Sequence, residues 1–117
     1  MKIKLIKILN LLEVHERVTS KKLEIVAKWK LVGNMKLLRP FKETYEEARN
    51  AAVLEISEGT GSIDPRDFKQ SGAVAVAIEK LLKQEVELPE LQQIEMSLLD
   101  KLDLDGTDLE ILEPVLK

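Results

Sequence analysis

Three aspartates flanking a glycine, Asp103, Asp105 and Asp108 around Gly106, have the composition of a calcium loop. An EF-hand needs an acid at its first position, glycine at the sixth and a bidentate glutamate at the twelfth. With Gly106 sixth, Lys101 falls first and Leu112 twelfth, so both ends fail and a capped turn before a helix explains the residues as well. Gly59-Thr-Gly61-Ser62 has neither a following Lys-Ser/Thr pair nor a preceding apolar strand, which removes the P-loop reading. His15 is the single histidine and cysteine is absent, so neither a Cys/His metal site nor a cysteine dyad can form. A solvated or helix-end histidine is the expectation. Ser20 and Ser71 would act as nucleophiles only if the fold brought them a base, and the carboxylates are too numerous for any pair to be singled out. No catalytic residue, cofactor or metal site is expected.

The residues that invite a function do so by contact. At about 100° per residue, Lys21, Lys28 and Arg39 share one sector of a helix, with Lys36 at its edge and Ile25, Trp29 and Val32 interleaved. Cations around a tryptophan can lie along phosphates or against an acidic protein surface. They can equally form a solvated face whose lysine stems cover apolar atoms.

That face sits on the longest pattern in the chain, a helix expected from Ser20 to about Ser57. Phe41, Tyr45, Ala48, Ala52 and Ile56 fall in one narrow sector, continued before Pro40 by Leu23, Ala27, Leu31, Met35 and Leu38. The second apolar group, Ile25, Trp29 and Val32, points roughly the other way. Either another element or a second copy covers it, or it awaits a partner. Pro40 has no N–H and crowds the carbonyl of Lys36, so a kink is expected there; the apolar sector keeps its phase, which argues against a break.

Around this helix the rest is arranged in order. Lys2–Leu5 alternates like a half-buried strand, and Ile6 to about His15 follows helical spacing. Glu16–Thr19 reads as a connection, and Ser20 as an N-cap. Glu58–Asp64 is a loop by composition. Asp64 then caps a helix starting at Pro65 that carries Phe68, Val74, Ala77, Ile78, Leu81 and Leu82 on one side and packs antiparallel to Phe41–Ile56. Val86–Leu88 and Gln93–Met96 read as edge strands on either side of Pro89, Ser97–Leu102 as one helical turn, and Thr107 as the cap of a last helix, Asp108–Leu112. The fold class expected is α+β, mostly α: a long Pro-kinked helix in an antiparallel hairpin with a second helix, plus a small edge sheet, as one domain over residues 1–117.

Composition agrees. Hydrophobic residues make up 44 % and aromatics only 3 %, so the core must come from Leu, Ile, Val and Ala, which suits helix packing. No apolar run reaches the ~18–20 residues a membrane span requires, and the lysine-interrupted start does not read as a signal peptide. A cytoplasmic location is expected. The formal net charge of −3 conceals a division: residues 1–42 hold eleven Lys/Arg and three Glu (+8), residues 43–117 seven Lys/Arg and eighteen acids (−11). Such a split can mark a nucleic-acid face or an acidic decoy surface, or two halves that fold onto each other and neutralise locally, the favoured reading.

Lys2-Ile-Lys-Leu, Lys22-Leu-Glu-Ile-Val-Ala-Lys-Trp-Lys-Leu-Val-Gly-Asn34, Tyr45-Glu-Glu-Ala-Arg49, Glu85-Val-Glu-Leu88 and Asp108-Leu-Glu-Ile-Leu-Glu-Pro114 occur in an order that resembles small uncharacterised proteins encoded by tailed phages and prophages. Where those proteins often carry an acidic, glycine-containing turn after the long helix, this chain has Ser57–Asp64. The resemblance implies a phage setting, in the host cytoplasm, and assigns no enzymatic residue. The expectation is a non-enzymatic accessory protein, an assembly factor or an inhibitor of a host protein, working through protein contacts at Lys21, Ile25, Lys28, Trp29, Val32, Lys36 and Arg39. Homo-oligomerisation is open. A nucleic-acid-associated regulator using the same basic face is the alternative.

Overall fold

A computed structural model describes residues 1–99, 102 and 104–116. Among them the chain is mostly helical: β1 (Lys2–Lys4), α1 (Leu5–Thr19), α2 (Ile25–Ile56), α3 (Phe68–Lys83), β2 (Glu85–Glu87), a 3-10 turn at Met96–Leu98, α4 (Gly106–Leu112) and a closing 3-10 turn at Glu113–Val115. No helix among the described residues is long and apolar enough to cross a membrane.

The small sheet is an antiparallel pair, β1 with β2, in which Lys2 faces Glu87, Ile3 faces Val86 and Lys4 faces Glu85. Opposite charges thus oppose each other at both ends, the favourable arrangement for a cross-strand pair. Gln93–Met96 does not join it. Ile94 instead makes an isolated parallel bridge to Leu116, its N–H donating to Val115 O at 2.7 Å.

α1 runs four residues past the expected end because its apolar stripe does: Ile8, Leu11, Leu12, Val14 and Val18 are all buried. Ser20 closes α1 rather than opening α2, its hydroxyl donating to Arg17 O at 2.6 Å. The N-cap of α2 is Glu24, whose carboxylate accepts from Ala27 N. α3 likewise starts later than Pro65. Asp67 caps it by accepting from Lys69 N and Gln70 N, while Asp64 makes a local turn to Arg66 N. Asp105, not Thr107, caps α4, accepting from Asp108 N at 2.8 Å. In each case a carboxylate accepts from the free amides of the first turn, where the positive helix end favours negative charge.

α2 continues as one helix through Pro40. The donor that proline lacks would have served the carbonyl of Lys36, and both residues lie on the exposed side, where water can take that role. The two halves of α2 differ sharply. Ala27, Leu31, Met35 and Leu38 are buried with the α1 stripe, Ile94, Leu99, Leu112 and Val115 in a single core. Beyond Pro40 no residue of α2 is buried, and neither is any residue of α3. The molecule, 50 × 27 × 21 Å, is therefore a packed core with a thinner two-helix extension. α3 contacts the second half of α2, where Gln70 Nε2 donates to Ile56 O at 3.3 Å. Phe68, expected on the inner side of this helix, is 84 % exposed, because its position turns well away from Val74, Ala77, Ile78 and Leu81.

Candidate interaction surface

The residues with chemical potential are absorbed by structure. Asp105 is a helix cap, and Asp108, buried at the start of α4, accepts from Arg17 Nη2 at 2.8 Å and Nη1 at 3.4 Å. Asp103 and Lys101 of the calcium-like stretch lie outside the described residues. No three His, Asp or Glu side chains among the described residues converge in a way that could hold a metal ion.

The amides of the glycine-bearing loop are occupied in ending α2. Glu58 N donates to Glu55 O and Gly59 N to Leu54 O, a Schellman closure, and Gly61 N donates to Ser57 Oγ. Glu58 takes the left-handed position (φ 57°), with Gly59 following at φ 92°.

His15 is neither solvated nor at a helix end: it is fully buried. Nδ1 lies 2.7 Å from Leu11 O, an acceptor only, so Nδ1 carries the proton. Nε2 then accepts from Asn34 Nδ2 at 3.3 Å. Asn34, also fully buried, has its orientation dictated by the Gln92 backbone: Nδ2 donates to Gln92 O at 2.9 Å and Oδ1 accepts from Gln92 N at 2.7 Å. Burial depresses the His15 pKa, partly offset by the bond to Leu11 O, and the ring is neutral at pH 7. This is a polar clasp joining α1, α2 and the 88–94 segment. It has no open side from which a substrate could reach the ring. The pattern Leu11-x-x-x-His15 beside a core stripe was the available signal for burial.

The open surface is the outer side of α2. Ile25 is 73 % exposed and Trp29 68 %, and Lys36 and Arg39 are exposed beside them. Lys21 and Lys28 are half-buried, as is Val32, which packs against the core. Ile25, Trp29, Lys36 and Arg39 thus share one exposed side of α2, with Lys28 and Val32 at its edge, whereas Lys21 falls in the connection before α2, outside the helical sector expected for it. The exposed side does not stop at Pro40. Glu43, Glu47, Asn50 and Leu54 continue it to the end of the helix, all exposed. The sector that holds Ile25 and Trp29 also holds Pro40, Glu43, Glu47 and Leu54 at about 100° per residue, and following it past Pro40 would have brought these residues in. On the inner side, shallow apolar grooves run between α2 and α3 beside Ala48, Ala52, Ala77 and Leu81, and on beside Phe41 and Tyr45 to Val86. Their lining is largely apolar, with Lys80, Lys83, Thr44, Tyr45 and Gln84 as its polar members and no carboxylate, serine or histidine.

Comparisons of the chain with protein-family models, with curated proteins and with solved structures yield no match.

Proposed function

We propose that this protein is a non-enzymatic binding module that acts through protein–protein contacts on the outer side of α2. The observation that carries the reading is the pairing of Ile25 with Trp29, the chain's only tryptophan, both largely exposed on the half of α2 whose opposite side, Ala27, Leu31, Met35 and Leu38, is buried in the core. Both lie outside the buried core, and a large exposed aromatic beside an exposed apolar residue marks an interaction surface, tryptophan being enriched among interface anchors. Lys36 and Arg39 beside them favour an acidic partner surface. In this reading α3 returns antiparallel along the second half of α2 as a hairpin, a pairing supported by Gln70 at Ile56 and by Leu81 beside Ala48. The phage accessory role, as assembly factor or host inhibitor in the host cytoplasm, belongs to the same proposal through the sequence resemblance.

A polynucleotide fits this side of α2 less well, because a strand following Lys36 and Arg39 would run onto Glu43 and Glu47 within two turns. The two readings separate by salt and by mutation. Capture of a protein by the full chain should weaken only modestly in raised salt, as the few charge contacts are screened, and be lost with Trp29→Ala. Binding to duplex DNA that falls steeply with salt, is abolished by Lys28→Glu with Arg39→Glu and ignores Trp29→Ala would reverse the choice.

A further inference from the structure

The charge division of the sequence is concentrated in α2 itself. From Ile25 to Lys42 its charged residues are Lys28, Lys30, Lys36, Arg39 and Lys42, with no acid; from Glu43 to Ile56 they are Glu43, Glu46, Glu47 and Glu55 against Arg49. The helix does not need this order. Its macrodipole favours acids in the first turn and bases in the last, and α2 has neither. Close ion pairs do not neutralise it, although Glu16 of α1 lies beside Arg39 and Lys42. The side-chain ion pairs among the described residues are Arg17–Asp108 and Glu79–Lys83, and neither involves α2. A helix that is basic and then acidic along one continuous exposed side is complementary to a reversed copy of itself.

We infer that two copies of this chain associate through the outer sides of their α2 helices, antiparallel, about a two-fold axis passing near Arg39 and Pro40. This rests on the reading of that side as an interaction surface and names its partner. The helical period supports the pairing. Placing Arg39 against Pro40 of the second copy sets Lys36 opposite Glu43, Trp29 opposite Asn50 and Ile25 opposite Leu54. At 100° per residue all of these stay in the same sector. Each copy thus brings an apolar end, Ile25 and Trp29, to the other's Leu54; Lys36 meets Glu43 on either side of the axis, and the two Arg39 side chains, adjacent at the axis, each lie within one turn of the other copy's Glu43. The contact is isologous, so every pair occurs twice. Lys36 and Glu43 of one chain are separated by about 10 Å along the helix, too far to pair with each other.

The test is a charge swap in the full chain, read by analytical ultracentrifugation over a concentration series and by Trp29 emission. The wild type should dimerise, with Trp29 emission shifting to the blue as concentration rises, and raised salt should weaken the association. Lys36→Glu alone and Glu43→Lys alone should each weaken it by about tenfold, since each places two like-charge contacts at the axis. The two single variants mixed should associate with each other at close to wild-type strength, because the carboxylate introduced in one chain then meets the ammonium introduced in the other; the double variant should recover too. Both positions are exposed, and circular dichroism checks that the variants remain folded. A wild type that stays monomeric, or a mixture that associates no better than its components, overturns the inference. Neither result touches the wider reading, which falls separately if Trp29→Ala leaves both self-association and protein capture unchanged.

Discussion

Acidification from about pH 7.5 to about pH 5.5 should destabilise the protein through one side chain, His15. In the fold its Nε2 accepts from Asn34 and its ring has no contact with water, so protonation would set an N–H against the Asn34 amide group inside the core. The unfolded ring titrates near its ordinary value of 6.5 and the folded ring lower. Below 6.5 the unfolded chain therefore binds the extra proton. Stability is unaffected by this group above 6.5, is lost as the pH falls through 6.5, and stops falling only below the folded pKa. If the folded ring stays neutral throughout, the slope approaches about 1.4 kcal/mol per pH unit, so the interval removes up to about 1.4 kcal/mol. At a urea slope of about 2 kcal/mol/M the midpoint moves down by up to ~0.7 M. The window belongs to the one histidine: carboxylates ordinarily titrate near about 4, and the Glu79 carboxyl is held lower still by Lys83. Urea melts of the wild type and of His15→Gln at both pH values are the assay, with the ring proton signals followed by NMR. A wild-type midpoint that does not move, a variant that keeps the full drop, or a folded ring that titrates at 6.5 would refute the reasoning.

Other consequences follow from local geometry. Glu58→Gly should raise stability by about 1 kcal/mol in urea melts, because a left-handed position is strained for glutamate and not for glycine. Arg17→Ala should lower it by about 1–2 kcal/mol, since it leaves the Asp108 carboxylate, 9 % exposed, without its cation; the half-exposed guanidinium keeps the figure from being larger. Gly33→Ala should be neutral to about 1 kcal/mol stabilising by thermal melt: helix propensity favours alanine, and the new methyl meets only the mobile end of the Gln92 side chain at 3.1 Å.

The elements that periodicity marks strongly are those the structure contains. The strand at Lys2, the long helix, its core stripe of Ala27, Leu31, Met35 and Leu38, and the strand at Val86 are all legible, because each repeats its signal over several residues. Element ends are less so. Ser20, Asp64 and Thr107 are sound cap residues by type, yet Glu24, Asp67 and Asp105 cap instead, since which acceptor meets the free amides depends on where tertiary packing lets the helix begin. Of the candidate face, residue type and spacing identify Ile25, Trp29, Lys36 and Arg39 as a group. Leu54 and Glu47 join that group only when the stripe is followed past Pro40.

By itself the amino-acid order determines which side of α2 is apolar, where its charge reverses, and that no cysteine or second histidine is present for metal or thiol chemistry. Those are properties of composition and of the 3.6-residue period, and they hold whatever the helix packs against. Only the tertiary structure decides that His15 is sealed beneath Asn34 and Gln92, that Ile25 and Trp29 face outward while Val32 tucks in, and that nothing in α2 past Pro40 is buried. Each depends on contacts between segments far apart in the chain, such as Asn34 with Gln92 and Arg17 with Asp108, and local spacing carries no information about which distant segment arrives.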